Sequence, residues 1–432
     1  MTGVSMRRRS LCGAAALGGL AGCGRQRAGD AQTLRFWAMG REGEVVAQLM
    51  PAFERAHPGI HVKVQQLPWT SAHEKLLTAF AGDALPDLAQ LGNTWVPEFV
   101  ALNALQPVDE RVQASAIVQR DDYFAGLWQT NVVEGRSYGV PWYVDTRLLF
   151  YRRDLLATLG FDHPPRDWAE WRTMMRAIAA SAPGRRAIVL PLNEFEPLLA
   201  LALQQPDELL RDGGRRGNFS GAGFQRAFAF YAEMFAQGWA PIASEMQIGN
   251  VWQEIGRGTF VFYISGPWNI QEFKARLPAA QQGDWMTAPL PGPAGPGAST
   301  AGGSSLVLFR HSARQAAAWQ LIEYLSQPAQ QQRFRELTGD LPPRRSSWAA
   351  PALRDDVHAR AFREQLERVR AAPAVPEWER IANEMQHVAA RGVAQGTPAA
   401  AVGREIDARV DSFLEKRRWL LDRAAARAGA AG

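Results

Sequence analysis

Fifteen tryptophans stand in this chain of 432 residues, and many fall beside turn residues rather than inside apolar repeats. An indole held at a turn keeps a face open, so this placement points to a ligand surface. Trp268 follows Gly266-Pro267, and Trp142, Tyr143 and Asp145 lie in an extended, turn-rich stretch. Covalent chemistry finds little to work with. There is no Ser-x-x-Lys, no phosphate loop ending Gly-Lys-Ser or Gly-Lys-Thr, and only four lysines in all. His57 and His61 are four apart, but Pro58-Gly59 between them forbids a shared helical face, so no metal or cofactor site is read here.

The scaffold that must hold these residues is large. Its length predicts two to three domains, and 47% hydrophobic with 21% charged residues is a globular composition. The formal charge of +5 is mostly a leader effect: residues 1–22 carry Arg7, Arg8 and Arg9 and no acid, and without those three the excess is +2. Nucleic acid thereby loses its main argument. The arginines precede an uncharged stretch from Leu11 to Gly22, the layout of an export signal and too short to span a bilayer. That stretch ends Leu20-Ala21-Gly22-Cys23, similar to a bacterial lipobox, so Cys23 is expected to carry lipid as the first mature residue. Arg8-Arg9-Ser10-Leu11 also resembles a twin-arginine signal, leaving the export route open. Cys12 leaves with the signal, so the mature chain has no disulfide, and residues 23–32 read as a tether.

Beyond the tether, Leu34-Arg-Phe-Trp-Ala reads as a strand, Glu44–Arg55 as a helix and Ile60–Gln65 as a second strand, a β-α-β unit with a parallel pair. Further helices are predicted at 72–81, 96–102, 168–180, 224–237 and 316–325, and strands at 87–91, 187–192, 259–264 and 305–309. The Gly/Pro-rich segment 289–305 reads as an irregular loop, and helices broken at Pro373, Pro376 and 396–398 fill the tail. The class is α/β.

Four stretches together resemble the extracellular solute-binding proteins of bacterial carbohydrate ABC importers. They are Leu85-Pro-Asp-Leu-Ala with Trp95 and Leu102-Asn-Ala-Leu-Gln-Pro-Val-Asp; Tyr138-Gly-Val-Pro through Leu148-Leu-Phe-Tyr-Arg-Arg-Asp with Pro164-Pro-Arg-Asp-Trp; Gly258-Thr-Phe through Ser265-Gly-Pro-Trp-Asn; and Pro289-Leu-Pro-Gly through Ala301-Gly-Gly-Ser-Ser to Thr338-Gly-Asp-Leu-Pro. Arg152-Arg153 and Asp167 depart from the family's usual residues at structural positions. The resemblance implies a type II periplasmic-binding-protein-like fold of two hinged lobes, each a mixed sheet flanked by helices. Lobe 1 is expected to take 33–143 plus 289–327, and lobe 2 to take 146–286 plus 330–425, with crossings near 143–146, 286–291 and 327–330. It further implies a monomer, exported and lipid-anchored, that delivers a carbohydrate to permease transmembrane subunits.

A sugar offers apolar C–H faces and a ring of hydroxyls, so its site needs aromatic platforms beside carboxylates and amides. Trp268 is the first expected platform, with Trp142, Tyr143 and Asp145 on the crossing. Trp37, Arg41 and Glu42 follow the first strand, and Asn93 and Trp95 follow the third, where ligands of open α/β sheets bind. Gly302, Gly303 and Ser304 could bring backbone N–H groups close to a ligand, and Arg344 could reach the cleft from the last crossing. A rival reading takes Leu190-Pro-Leu-Asn193-Glu194-Phe-Glu196-Pro as the acid of a secreted glycoside hydrolase, with Glu194 working beside a second carboxylate about 5 Å away. No run of eight β-α units supports it.

Overall fold

The computed structural model describes residues 32–430. The export signal and Cys23 lie outside the described residues, and Gln32, expected to end the tether, opens a strand. Nine strands of four residues or more build two sheets: β1 (Gln32–Met39), β2 (Ile60–Leu67), β3 (Leu88–Gly92), β4 (Gly139–Val144), β5 (Leu148–Arg152), β6 (Arg186–Val189), β7 (Phe260–Ser265), β8 (Trp285–Ala288) and β9 (Gly303–Leu308). The first sheet runs β2-β1-β3-β9-β4 and the second β8-β5-β7-β6. The β-α-β unit holds: β1 and β2 pair in parallel from Gln32 opposite Ile60 to Met39 opposite Leu67. Both sheets are mixed, because β9 lies antiparallel to β3 and β4, and β5 antiparallel to β7 and β8.

Helices cover both faces of each sheet, so successive residues of a strand enter different cores. Phe36 and Ala38 of β1 join Leu306 and Leu308 on one face, while Trp37 and Met39 join Val307 and Phe309 on the other. In the second sheet Leu149 belongs to one core and Leu148 and Phe150 to the other. Strands buried on both faces lose the polar alternation that would disclose their orientation.

The helix after β1 starts at Gly40, earlier than the Glu44 that its periodicity predicts. Gly40 adopts φ +52°, which turns the chain straight off the strand, and a Cβ there would lie 2.6 Å from the Trp69 indole. The helix Trp168–Ser181 begins as its sequence predicts: Asp167 caps it by accepting the Glu170 N–H at 2.8 Å.

The chain leaves the first sheet after Val144 and enters the second at Leu148. It returns through 289–302, which is less irregular than expected. Pro291–Gly292 pairs with Gly295–Pro296, Ser299–Thr300 lies alongside Val369–Arg370, and β9 starts at Gly303 rather than Ser305. The helix Pro328–Thr338, expected in the second lobe, packs Phe334 into the first-lobe core, and Leu341 beyond it bridges to Val144. The tail helices Trp378–Gln395 and Ala399–Phe413 then pack on Ala222–Ala236 of the second lobe.

Candidate ligand-binding cleft

A cleft of about 700 Å³ opens between the two lobes. From the first lobe come Glu42 after β1, Trp69 after β2, Asn93–Trp95 after β3, Tyr143 on β4 and Ser304 on β9. From the second come Phe195, Glu196, Leu199 and Trp268, with Ala371–Ala374 and Glu379 from the tail. Asp145, Gly302 and Asp340 belong to the crossings, and Gly303 opens β9.

Trp268 opens the helix Trp268–Arg276 directly after Pro267, and its indole folds back over Gly266, where a Cβ would lie 1.9 Å from the ring. Only glycine fits there. The Arg147 guanidinium stacks 4.7 Å from the Trp268 ring centroid, between Asp145 (3.5 Å) and Glu196 (3.3 Å). Burial disfavours the Arg147 charge, but Asp145 and Glu196 outweigh it and hold the group above its ordinary value. Asp145 is pushed up by burial and by Glu196, against the pull of Arg147.

On the opposite wall, hydrogen bonds run across the first sheet. The Met39 N–H donates to Gln90 Oε1 (2.7 Å), Gln90 Nε2 donates to Tyr143 Oη (3.0 Å), and Ser304 Oγ donates to the same hydroxyl (3.1 Å). Asn93 is held at both ends, accepting from Ser305 Oγ (2.9 Å) and donating to the Ala301 carbonyl (3.4 Å). Trp69 donates its N–H to Glu42 Oε2 (3.4 Å) and packs edge-on against Trp95, centroids 5.7 Å apart. Burial raises the Glu42 carboxyl, opposed by hydrogen bonds from its own backbone, Trp69 and Tyr143. Asp340 stands well above the carboxylate range through burial and the charges of Glu42 and Asp145. Across the mouth, Thr94 Oγ1 donates to Glu379 and joins the two lobes.

Nine of the thirteen expected side chains and backbone positions line this cleft: Trp268, Tyr143, Asp145, Trp95, Asn93, Glu42, Gly302, Gly303 and Ser304. The glycines have a further structural reason. A Cβ at Gly302 would lie 2.0 Å from the Asp145 carbonyl oxygen and one at Gly303 2.2 Å from that of Tyr143, so both permit close approach of two crossings.

Four expected residues lie elsewhere. Trp142 is a core residue, stacked on Phe334 at 4.4 Å. Trp37 faces the helix Trp69–Ala81, with Lys75 Nζ 5.6 Å from its ring. Arg41 is exposed and pairs with Glu44 one helical turn on, at 3.1 Å. Arg344 is buried in an ion pair with Asp122 (2.6 Å), its guanidinium also donating to the Ser326 carbonyl, which ties the last crossing to the first lobe. Missed in the sequence were Trp69, Phe195, Glu196, Leu199, Asp340 and Glu379. Pro68-Trp69 at a strand end was a usable signal, and Asp340 sat inside a recognised motif without a role. Nothing near Glu379 in sequence marks it.

The sequence model of the bacterial extracellular solute-binding protein family matches residues 39–332. The chain belongs to that family. It is similar to the sugar-binding protein MalE from the phytopathogen Xanthomonas citri, with 57% identity, a TM-score of 0.88, and coverage of 90% of this chain and 99% of that one. It is 22% identical to the diacetylchitobiose binding protein DasA of Streptomyces coelicolor over 82% of each chain. With the galactooligosaccharide-binding protein of Bacillus subtilis it shares 23% identity over 86% of this chain and 88% of the relative. These matches agree with the two-lobed α/β architecture. Among the described residues no group of three or more His, Cys, Asp or Glu is placed to hold a metal, and no helix is long and apolar enough to cross a membrane.

Proposed function

We propose that this protein captures a carbohydrate, an oligosaccharide or glycoside, in the cleft between its lobes and hands it to the transmembrane subunits of an ABC importer. The carrying observation is the cleft's composition: Trp268, Trp69 and Trp95 beside the fixed polar groups of Glu42, Asn93, Tyr143 and Asp340. Indole faces match the C–H faces of sugar rings, and carboxylates and amides match their hydroxyls. The 57% identical Xanthomonas relative being a sugar-binding protein supports the same ligand class. Binding residues on both walls let a ligand favour the closed arrangement, because only differential affinity shifts such an equilibrium. Glu194 is not among the cleft-lining residues, and the matched family consists of binding proteins, so the hydrolase reading gains nothing from the structure.

A thermal-shift panel of neutral mono-, di- and trisaccharides tests this reading. A sugar at 100 times its dissociation constant adds about 2.7 kcal/mol of apparent stability, and a flat response across the panel would sink it. We further propose that Cys23 carries a lipid anchoring the protein to the cell envelope. The wild type then partitions into detergent and Cys23→Ser does not; a wild type that fractionates as soluble contradicts the anchor.

A further inference from the structure

The charges around the cleft are one-sided. Five carboxyl groups line it, those of Glu42, Asp145, Glu196, Asp340 and Glu379, and among the described residues no lysine, arginine or histidine does. The cations behind its walls are already engaged: the Arg147 guanidinium behind Trp268 lies between Asp145 and Glu196, and His73 behind Trp95 is paired with Glu98 at 2.6 Å. Acidic sugars are ordinarily gripped by arginine forks or lysine, and none is left over here. Asp340, 5% exposed, faces Glu42 and bonds to it and to the neighbouring Thr338, and among the described residues no cation pairs with it. We infer that the cleft accepts uncharged or ammonium-bearing carbohydrates and excludes acidic ones such as uronates and sugar phosphates, with the Glu42–Asp340 pair imposing the exclusion.

The cleft's own groups report the field that an incoming anion meets. Burial raises both carboxyls; the charges of Glu42 and Asp145 raise Asp340 further, whereas a hydrogen bond from Asp340 lowers Glu42, so the proton goes to Asp340 and the negative charge stays on Glu42, and the Tyr143 hydroxyl is raised by burial and by the same two carboxyls. The remaining groups facing the pair are neutral or acidic: Trp69, Ser304, Thr338 and Asp145. A carboxylate or phosphate placed there pays the like-charge cost without a counterion, whereas sugar hydroxyls donate to the carboxyls directly.

This inference rests on the carbohydrate reading, and the experiment separates the two. Gluco-, galacto- and manno-configured disaccharides in α and β linkages, each in neutral, 2-ammonium and terminal-uronate form, are screened by thermal shift and the responders measured by calorimetry. The expected result is binding by at least one neutral or ammonium form, with its uronate weaker by at least about thirtyfold. In Glu42→Gln and Asp340→Asn, checked for wild-type melting behaviour, the ratio of neutral to uronate affinity narrows severalfold, which a merely structural role would not produce. A uronate that binds as tightly as its neutral counterpart overturns the charge inference and leaves the carbohydrate reading standing. A panel in which nothing binds overturns the carbohydrate reading, and the inference with it.

Discussion

The two walls of the cleft are built on different principles. The first-lobe wall is a hydrogen-bonded grid: Gln90 links Met39 of β1 to Tyr143 of β4, Ser304 of β9 joins the same hydroxyl, and Ser305 holds Asn93. The second-lobe wall is mainly apolar, with Trp268, Phe195, Leu199 and the Ala371–Ala374 segment, and its polarity lies in Glu379 and in the Asp145–Arg147–Glu196 cluster stacked behind Trp268. A wall whose polar groups are already oriented reads the arrangement of hydroxyls at little entropic cost, while an apolar wall contributes area wherever a ring lies. On the proposed reading, specificity is expected chiefly from the first lobe and affinity chiefly from the second.

The largest effect that can test this division separates two tryptophans. Trp142, 2% exposed and stacked on Phe334, supports the first-lobe grid from beneath. Trp142→Ala is expected to lose about 3–5 kcal/mol of stability by chemical denaturation, with ligand affinity retained in whatever remains folded. A stable Trp142→Ala protein that no longer binds would place that indole in the site after all.

Trp268→Ala is the converse. Removing a preorganised aromatic anchor costs about 2–4 kcal/mol of binding, a dissociation constant raised about 30-fold to 1000-fold, with the ligand-free melting temperature moving only a few degrees. Calorimetry finding full affinity in a folded mutant would move the anchor to the first-lobe wall.

A pH measurement addresses the charged backing of the second wall. Burial, helped by Glu196 and Glu245 and opposed by Arg147, raises Glu194 to about 7. Between its ordinary value of 4.5 and about 7 the folded state binds the proton more tightly than the unfolded one. Stability therefore falls as pH rises through that window and levels off above it. The contribution is on the order of 1–3 kcal/mol, and Glu194→Gln should remove it. Identical pH profiles for mutant and wild type would show that Glu194 is hydrated like any surface acid.

The smallest effect is expected at Arg41, whose side chain is exposed and pairs only with Glu44. Arg41→Ala should change both stability and affinity by less than about 0.5 kcal/mol. A tenfold affinity loss would bring it into the first wall when the lobes close.

Much of the cleft was readable because its residues follow strand ends that periodicity locates, as Glu42 follows β1 and Asn93 and Trp95 follow β3. The Gly266-Pro267-Trp268 turn was readable for a local reason, since the indole occupies the space that a Cβ at Gly266 would need. Trp37 and Trp142 were not, because every residue of β4 and the last four of β1 are buried, and a strand covered on both faces gives no sign of which side chains turn towards a ligand.

Local chemistry, carried in the order of residues, settled the element types, the β-α-β start, the glycine turns and the family motifs. Long-range packing decided the rest. Asp340 meets Glu42 and Glu379 meets Thr94 across separations that no local pattern encodes, because those contacts exist only once the late crossing and the tail helices have docked. The fate of each arginine was also tertiary. Arg41, Arg147 and Arg344 are alike in sequence, yet one is solvated, one stacks behind Trp268 between two carboxylates, and one is buried against Asp122, because a guanidinium goes where the folded chain places a carboxylate to meet it.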